Sequence, residues 1–142
     1  MRKSVFYFAT FFALILSGCS GDDNSSSENN NPNTSQIVGK WIIYKAIYEG
    51  NAQPVLYEIN GSCGREVLEF FDDKTVNEDL YVDLNCNNGA GSQWDWWSLG
   101  NSRFAMGYPN SDTFKVLTIS GNELIFDGTE EWGVKKYYKK VE

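Results

Sequence analysis

The sequence predicts an all-β fold, an antiparallel up-and-down meander of about eight strands that closes into a small barrel. Within residues 37–142, short segments rich in β-branched and aromatic residues follow one another. Clusters of Gly, Asn, Asp, Ser and Pro separate them, as turns require. No run of ten or more residues in this part has the helical period of 3.6. Short connections indicate a meander, and closure into a barrel removes its exposed edges.

Each predicted strand follows from its local pattern. Residues 39–49 are rich in β-branched and aromatic side chains. Residues 66–71 form the second strand, and a turn at residues 72–74 leads into the third, residues 75–84. The remaining predicted strands are residues 94–99, 103–108, 114–119, 123–127 and 133–141.

Alternation within these strands indicates which side chains face the interior. Leu68 and Phe70 share one face of the second strand. Val76, Leu80 and Val82 share one face of the third strand. The first strand is apolar on both faces, so alternation assigns no inner face there.

The N-terminal segment, residues 1–18, is typical of a lipoprotein signal peptide. Arg2 and Lys3 precede an apolar stretch over residues 5–16, which is too short to span a membrane as a helix. The sequence LSGC at residues 16–19 resembles a lipobox, the motif at which bacterial signal peptidase II cuts before a cysteine that becomes lipid-modified. Cys19 is therefore the predicted lipidation site, and an ordinary secretory peptide that merely contains a cysteine is the alternative.

Residues 19–36 are predicted to be a lipidated, disordered polar tether, because they contain almost no apolar side chain to bury. Dual acylation in addition to an amide-linked chain would anchor the protein stably, since a single chain gives only marginal binding. The predicted location is the outer membrane of the cell envelope. Asp22 and Asp23 resemble the acidic signals that export some bacterial lipoproteins to the cell surface. The alternative is that these two acids contribute only solubility.

The charge of the chain argues against two classes of partner. Removing Arg2 and Lys3 from the 12 basic residues leaves 10 against 19 acidic residues, a formal charge of −9. Such a surface repels nucleic acid and anionic headgroups. The predicted membrane contact is therefore the lipid on Cys19 alone.

Cys63 and Cys86 are predicted to form a disulfide. Assigning Cys19 to lipid leaves these two as a pair in an oxidising compartment. A hairpin that turns at Asp73 and Lys74 places them opposite each other after one small bulge. A redox-active or metal-binding pair is the alternative, but the chain lacks CxxC spacing, histidine and further thiolates.

Five elements, taken in order, resemble the bacterial lipocalin-like lipoprotein domain. They are IVGKW at 37–41, LEF with DDKT at 68–75, WSL at 97–99, the hairpin at 114–126 and YYK at 137–139. The resemblance covers about residues 37–140 and implies a small lipocalin-type barrel. A barrel of eight strands has room for side chains or one small ligand. Trp41 is expected to fill its core.

Aromatic side chains are the candidate contacts for a ligand or partner. Trp94 and Trp96 share one face of a strand, and Trp97 takes the other. If Trp97 follows the WSL element into the core, then Trp94 and Trp96 face outward or line the rim. Paired exposed indoles suit a sugar ring or a protein partner, whereas covering the barrel mouth is the alternative. Tyr108 and Trp132 complete the candidate set.

The sequence offers no candidate catalytic residue, metal site or cofactor. Without histidine, a nucleophile activated by histidine is impossible within the chain. The acid pairs at 72–73 and 130–131 lie in predicted turns, where solvation is the simpler interpretation. Lysines at positions 135, 136, 139 and 140 are expected on the solvated exterior, with binding of an acidic partner as the alternative.

Two functions therefore stay open. The first is non-enzymatic binding of a small apolar or saccharide ligand by an envelope lipoprotein. The second is a protein-interaction, accessory or inhibitor module that uses the surface of a filled barrel.

Overall fold

The computed structural model describes residues 34–142 except Leu84 and Asn88. Its elements in chain order are α1 (Thr34–Ile37), β1 (Gly39–Tyr48), β2 (Val55–Leu56), β3 (Glu66–Phe70), β4 (Thr75–Tyr81), β5 (Gly89–Gly100), β6 (Arg103–Gly107), β7 (Phe114–Ser120), β8 (Glu123–Gly128), α2 (Thr129–Trp132) and β9 (Val134–Val141). The predicted signal peptide at 1–18, the predicted lipidation site Cys19 and residues 19–33 of the predicted tether lie outside the described residues.

The strands form a closed antiparallel barrel, which confirms the predicted fold class. Strands β3 to β9 pair consecutively, and β1 pairs with both β3 and β9. Gly39 is opposite Phe70 on one side of β1, and Lys40 is opposite Val141 on the other. The two-residue strand β2 adds to β1 beyond β3. Eight strands therefore close the barrel, and β2 is an extra strand that the sequence did not predict.

The two ends of the barrel differ in what lies next to them. At the proximal end, α1 leads into β1, and the Trp41 indole Nε1 donates to the Ile37 carbonyl at 2.7 Å. The distal end is the one at which β1, β4, β6 and β8 finish. The helical turn Thr34–Ile37 includes the last three residues of the predicted tether.

The barrel interior is filled by side chains. The buried cluster includes Trp41, as expected, together with aromatic residues from most of the strands. Its large aromatic members are Trp41, Phe70, Trp96, Phe104, Phe126 and Tyr138. Leu80 and Val82, predicted on the inner face, are instead 49% and 73% exposed. They lie at the distal end of the barrel, where Val82 already follows the last residue of β4.

Strand β5 begins five residues before its predicted start. Residues 89–93 precede the predicted strand at 94–99, but they pair with β4. Gly89 lies opposite Tyr81, and a Cβ on Gly89 would come within 2.6 Å of the Tyr81 ring. The ring thus occupies the space that a side chain would need. A cross-strand ring thus covers Gly89, a residue of low β-propensity, at the start of the strand.

The predicted disulfide between Cys63 and Cys86 is confirmed, with the two Cα atoms 5.6 Å apart. The two cysteines lie at the open end of the β3–β4 hairpin, as predicted, but outside its ladder. The β3–β4 ladder ends at the pair Glu66 and Leu80, so both cysteines lie in loops beyond it. The bond joins the loop before β3 to the connection between β4 and β5 at the distal end.

Candidate functional site at the distal end of the barrel

The WSL element implied that Trp97 enters the core and that Trp96 faces outward or lines the rim. The structure places these two indoles the other way round. Trp96 is only 1% exposed, and its Nε1 donates to the Phe71 carbonyl at 3.0 Å. Trp97 is half-buried on the outer face, with its ring 5.7 Å from that of Phe114. The exposed orientation considered for Trp96 is therefore wrong, because Phe114 covers Trp97 outside the barrel and leaves the interior to Trp96.

Trp94 and Tyr108 form an aromatic pair at the distal rim. The β5–β6 ladder ends at Asp95 and Gly107, so Trp94 and Tyr108 lie immediately beyond its last pair. Their ring centroids are 4.8 Å apart, and Tyr108 is 60% exposed. Strand register thus brings together two of the residues that the sequence selected as candidate contacts.

Trp132 reaches the same rim from α2. It is 48% exposed, and its ring lies 5.3 Å from that of Phe126. Gly128 permits this packing, because a Cβ there would come within 2.7 Å of both rings. Gly133 then ends the helical turn in the left-handed conformation, at φ 63°.

These rings border a small cavity of about 150 Å³, which we call the aromatic pocket. Its lining residues are Trp94, Met106, Gly107, Thr113, Phe114, Lys115 and Trp132. Cavities for drug-sized ligands measure about 300–1,000 Å³, so this one accommodates about a single ring. Three of the four candidate aromatics, Trp94, Tyr108 and Trp132, thus lie at or beside the pocket, whereas Trp96 lies in the core.

A charged pair fixes the inner wall of the aromatic pocket. Glu78 accepts a hydrogen bond from Trp94 Nε1 at 3.1 Å and another from the Lys115 ammonium. Glu78 is only 8% exposed, and buried carboxylates require such partners. The pair holds the indole in one orientation, and it places a donor and an acceptor beside an apolar ring.

A second charged group lies on the inner face nearer β1. Glu66 is buried and accepts hydrogen bonds from Lys136 at 2.6 Å and from the Tyr138 hydroxyl.

The expectation that all four C-terminal lysines lie on the solvated exterior is therefore wrong for Lys136. Its neighbour Lys135 points outward and pairs with Asp127 at 2.7 Å. Alternation with the buried Val134 and Tyr138 was the sequence signal that could have placed Lys136 inside.

Burial and neighbouring carboxylates keep several tyrosines protonated. Burial and the adjacent Glu123 raise the pKa of Tyr44 from 10.0 to about 12. Burial and its hydrogen bond with Tyr48 likewise raise the pKa of Tyr57 to about 12. Burial also raises the pKa of Tyr138 well above 10.0, with Glu66 adding to the shift. The folded protein thus disfavours tyrosinate at these sites.

We expect the free energy of unfolding to fall as the pH rises from about 10 to about 12. In this window the unfolded chain releases tyrosine protons that the folded protein retains, so ionisation favours the unfolded state. The Tyr44→Phe variant should lose stability less steeply than the parent protein. Urea unfolding at about pH 9 and about pH 11 measures both slopes. Identical slopes would contradict this assignment for Tyr44.

Comparison with known proteins does not identify a family for this chain. No protein-family model matches this chain, and no curated protein matches it. Within residues 34–142 as described, no helix is long and apolar enough to cross a membrane. The same part of the chain contains no group of three or more His, Cys, Asp or Glu side chains that could hold a metal ion. The described residues thus define a small antiparallel barrel with an aromatic rim.

Proposed function

We propose that this chain is a lipid-anchored, lipocalin-like envelope protein that binds a small ligand without catalysis. The ligand is a saccharide or a small apolar molecule held by one ring in the aromatic pocket. The observation that supports this proposal most directly is the Trp94–Tyr108 pair beside that pocket. Its ring centroids are 4.8 Å apart, and Tyr108 is open to solvent. A saccharide fits best, because sugar rings present apolar faces to indoles while their hydroxyls need groups such as Lys115 and Thr113.

The filled interior supports binding at the rim rather than inside the barrel. Trp96, Phe104 and Phe126 belong to the buried cluster where a larger lipocalin-type barrel could hold its ligand. A ligand of more than one ring would therefore extend outward from the pocket into solvent. This arrangement suits one residue of a longer glycan.

The position of the chain's entry into the fold supports the proposed anchoring. α1 lies at the proximal end, where Lys140 Nζ donates to the Gln36 carbonyl at 2.9 Å. The aromatic pocket lies at the distal end. A tether from Cys19 would then enter the fold at the end opposite the aromatic pocket and leave that pocket unobstructed.

Replacing Trp94 or Tyr108 by alanine should weaken saccharide binding by at least about tenfold, because each variant removes one of the two rings of the aromatic pair. A glycan array identifies a binding sugar, and tryptophan fluorescence titration then gives the dissociation constants. Phe71→Ala is the matched control, because Phe71 is an exposed aromatic residue at the proximal end. Equal weakening in the control, or full affinity in Trp94→Ala and Tyr108→Ala, would refute the proposed site.

The exposed apolar residues at the distal end support the second candidate function, contact with an envelope protein. Leu56, Val82 and Tyr108 are the most exposed large apolar residues of the described chain, and all lie there. Exposed large apolar side chains at one end of the barrel offer apolar contacts to a protein partner. Native mass spectrometry after mild extraction discriminates the two: a bound saccharide supports the first function, and a stoichiometric protein partner lost in Val82→Glu supports the second.

A further inference from the structure

We propose that the distal end contains a second site, separate from the aromatic pocket, which binds the carboxylate of a small organic monoanion. The site is a cavity of about 250 Å³ whose polar lining includes Arg65, Lys136, Glu66, Tyr48 and Tyr57. It shares no lining residue with the aromatic pocket. The proposal does not depend on saccharide binding.

Arg65 supplies the charge that a carboxylate would neutralise. Lys136 already pairs with Glu66, so those two charges compensate each other. Arg65 donates from one terminal nitrogen to the Val82 carbonyl at 2.9 Å, and it forms no ion pair with another described residue. A guanidinium has five N–H donors arranged as a rigid fork, which matches the two oxygens of a carboxylate. The cavity therefore has one uncompensated positive charge and spare donors.

Two tyrosine hydroxyls add a neutral donor. The hydroxyl oxygens of Tyr48 and Tyr57 are 3.0 Å apart, so one of their two hydrogens forms the bond between them. The other hydrogen is available for an acceptor. The backbone N–H of Tyr57 donates to the Tyr44 carbonyl at 2.9 Å, which fixes this segment against β1. Arg65 and Tyr57 line the same cavity.

The size and walls of the cavity limit the ligand class. Ile43 and Leu80 contribute apolar wall beside the charged groups. A volume of about 250 Å³ lies below the usual range for drug-sized ligands, so a short-chain carboxylate fits better than a large acid. A single net positive charge in a chain of net charge −7 favours a monoanion over a multiply charged ligand.

Butyrate and its uncharged isostere butyramide test the site directly. We expect butyrate to bind the full chain and to shift the Arg65 Nε–H resonance in nuclear magnetic resonance titrations. Butyramide should bind at least about tenfold more weakly, because it lacks the charge-assisted hydrogen bonds. Arg65→Gln should weaken butyrate binding by a similar factor. Arg103→Gln is the matched control, because Arg103 is an exposed arginine on β6 outside this cavity.

Three outcomes would overturn the proposal. They are equal affinity for butyrate and butyramide, unchanged butyrate affinity in Arg65→Gln, and no butyrate binding by the folded parent protein. If Arg65→Gln fails to fold, Tyr57→Phe provides the second variant, since it removes only a hydroxyl and should also weaken butyrate. Trp94→Ala should bind butyrate normally, which separates failure of this site from failure of the proposed saccharide site.

Discussion

Replacing Trp96 by alanine is expected to lower the free energy of unfolding by about 4 kcal/mol, as for other large-to-small substitutions of buried aromatic residues. The Trp96 ring meets Phe70 and Phe104 edge-on, each at a centroid distance of 6.0 Å. Its Nε1 also satisfies the Phe71 carbonyl, and Lys74 Nζ lies 4.1 Å from the ring centroid. Alanine would thus remove packing from the centre of the cluster and leave a cavity there.

Urea unfolding of Trp96→Ala and Trp97→Ala measures this effect against a matched control. Trp97 is the next residue on β5, but it lies half-buried on the outer face against Phe114. Its loss should cost only about 1 kcal/mol, because less apolar surface becomes exposed and no closed cavity forms. Equal costs for the two variants would contradict the assignment of Trp96 to the core.

The same two residues show what the sequence could predict about the site. Period-two alternation correctly placed Trp94 and Trp96 on one face and Trp97 on the other. It could not decide which face was internal, because both faces of β5 present an indole. The resemblance to the WSL element pointed to Trp97, whereas contact with Phe114, on a separate strand, covers Trp97 outside. That contact depends on tertiary packing.

The strand pattern was more predictable than its special features. Every predicted strand overlaps a strand of the barrel, because turn residues and β-branched residues act locally. The first residues of β5 were missed because Gly89 and its small neighbours have no local strand preference. Tyr81 covers Gly89 from the opposite strand. The disulfide pairing was predictable, but its position in two loops was not, because the hairpin register does not extend that far.

Buried charge was the hardest feature to predict. Glu66 shares the parity of Leu68 and Phe70, but an acid at a strand end is normally solvated. Lys136 lies in a lysine-rich segment, which the sequence predicts to lie on the solvated exterior. The two become partners only because barrel closure brings β9 beside β1 and β1 beside β3. Alternation is consistent with an inner-face position for each residue, but it does not indicate that the two side chains meet.

Replacing Lys136 by methionine is expected to lower the free energy of unfolding by about 3 kcal/mol, because it leaves the Glu66 carboxylate buried without its cation. Glu66 would retain the Tyr138 hydroxyl as its remaining donor. Lys135→Met provides the control from the adjacent position. Lys135 pairs with Asp127 at the surface, where such pairs contribute about 0–1 kcal/mol.

The double variant Glu66→Gln with Lys136→Met separates the lost charge pair from the lost side-chain volume. If the cost of Lys136→Met arises from an uncompensated carboxylate, neutralising Glu66 should recover most of the lost stability. Urea unfolding of the two single variants and the double variant completes the thermodynamic cycle. If the cost arises from packing of the Lys136 stem, the double variant should be no more stable than Lys136→Met. That result would indicate that Tyr138, rather than Lys136, is the main stabilising partner of the Glu66 carboxylate.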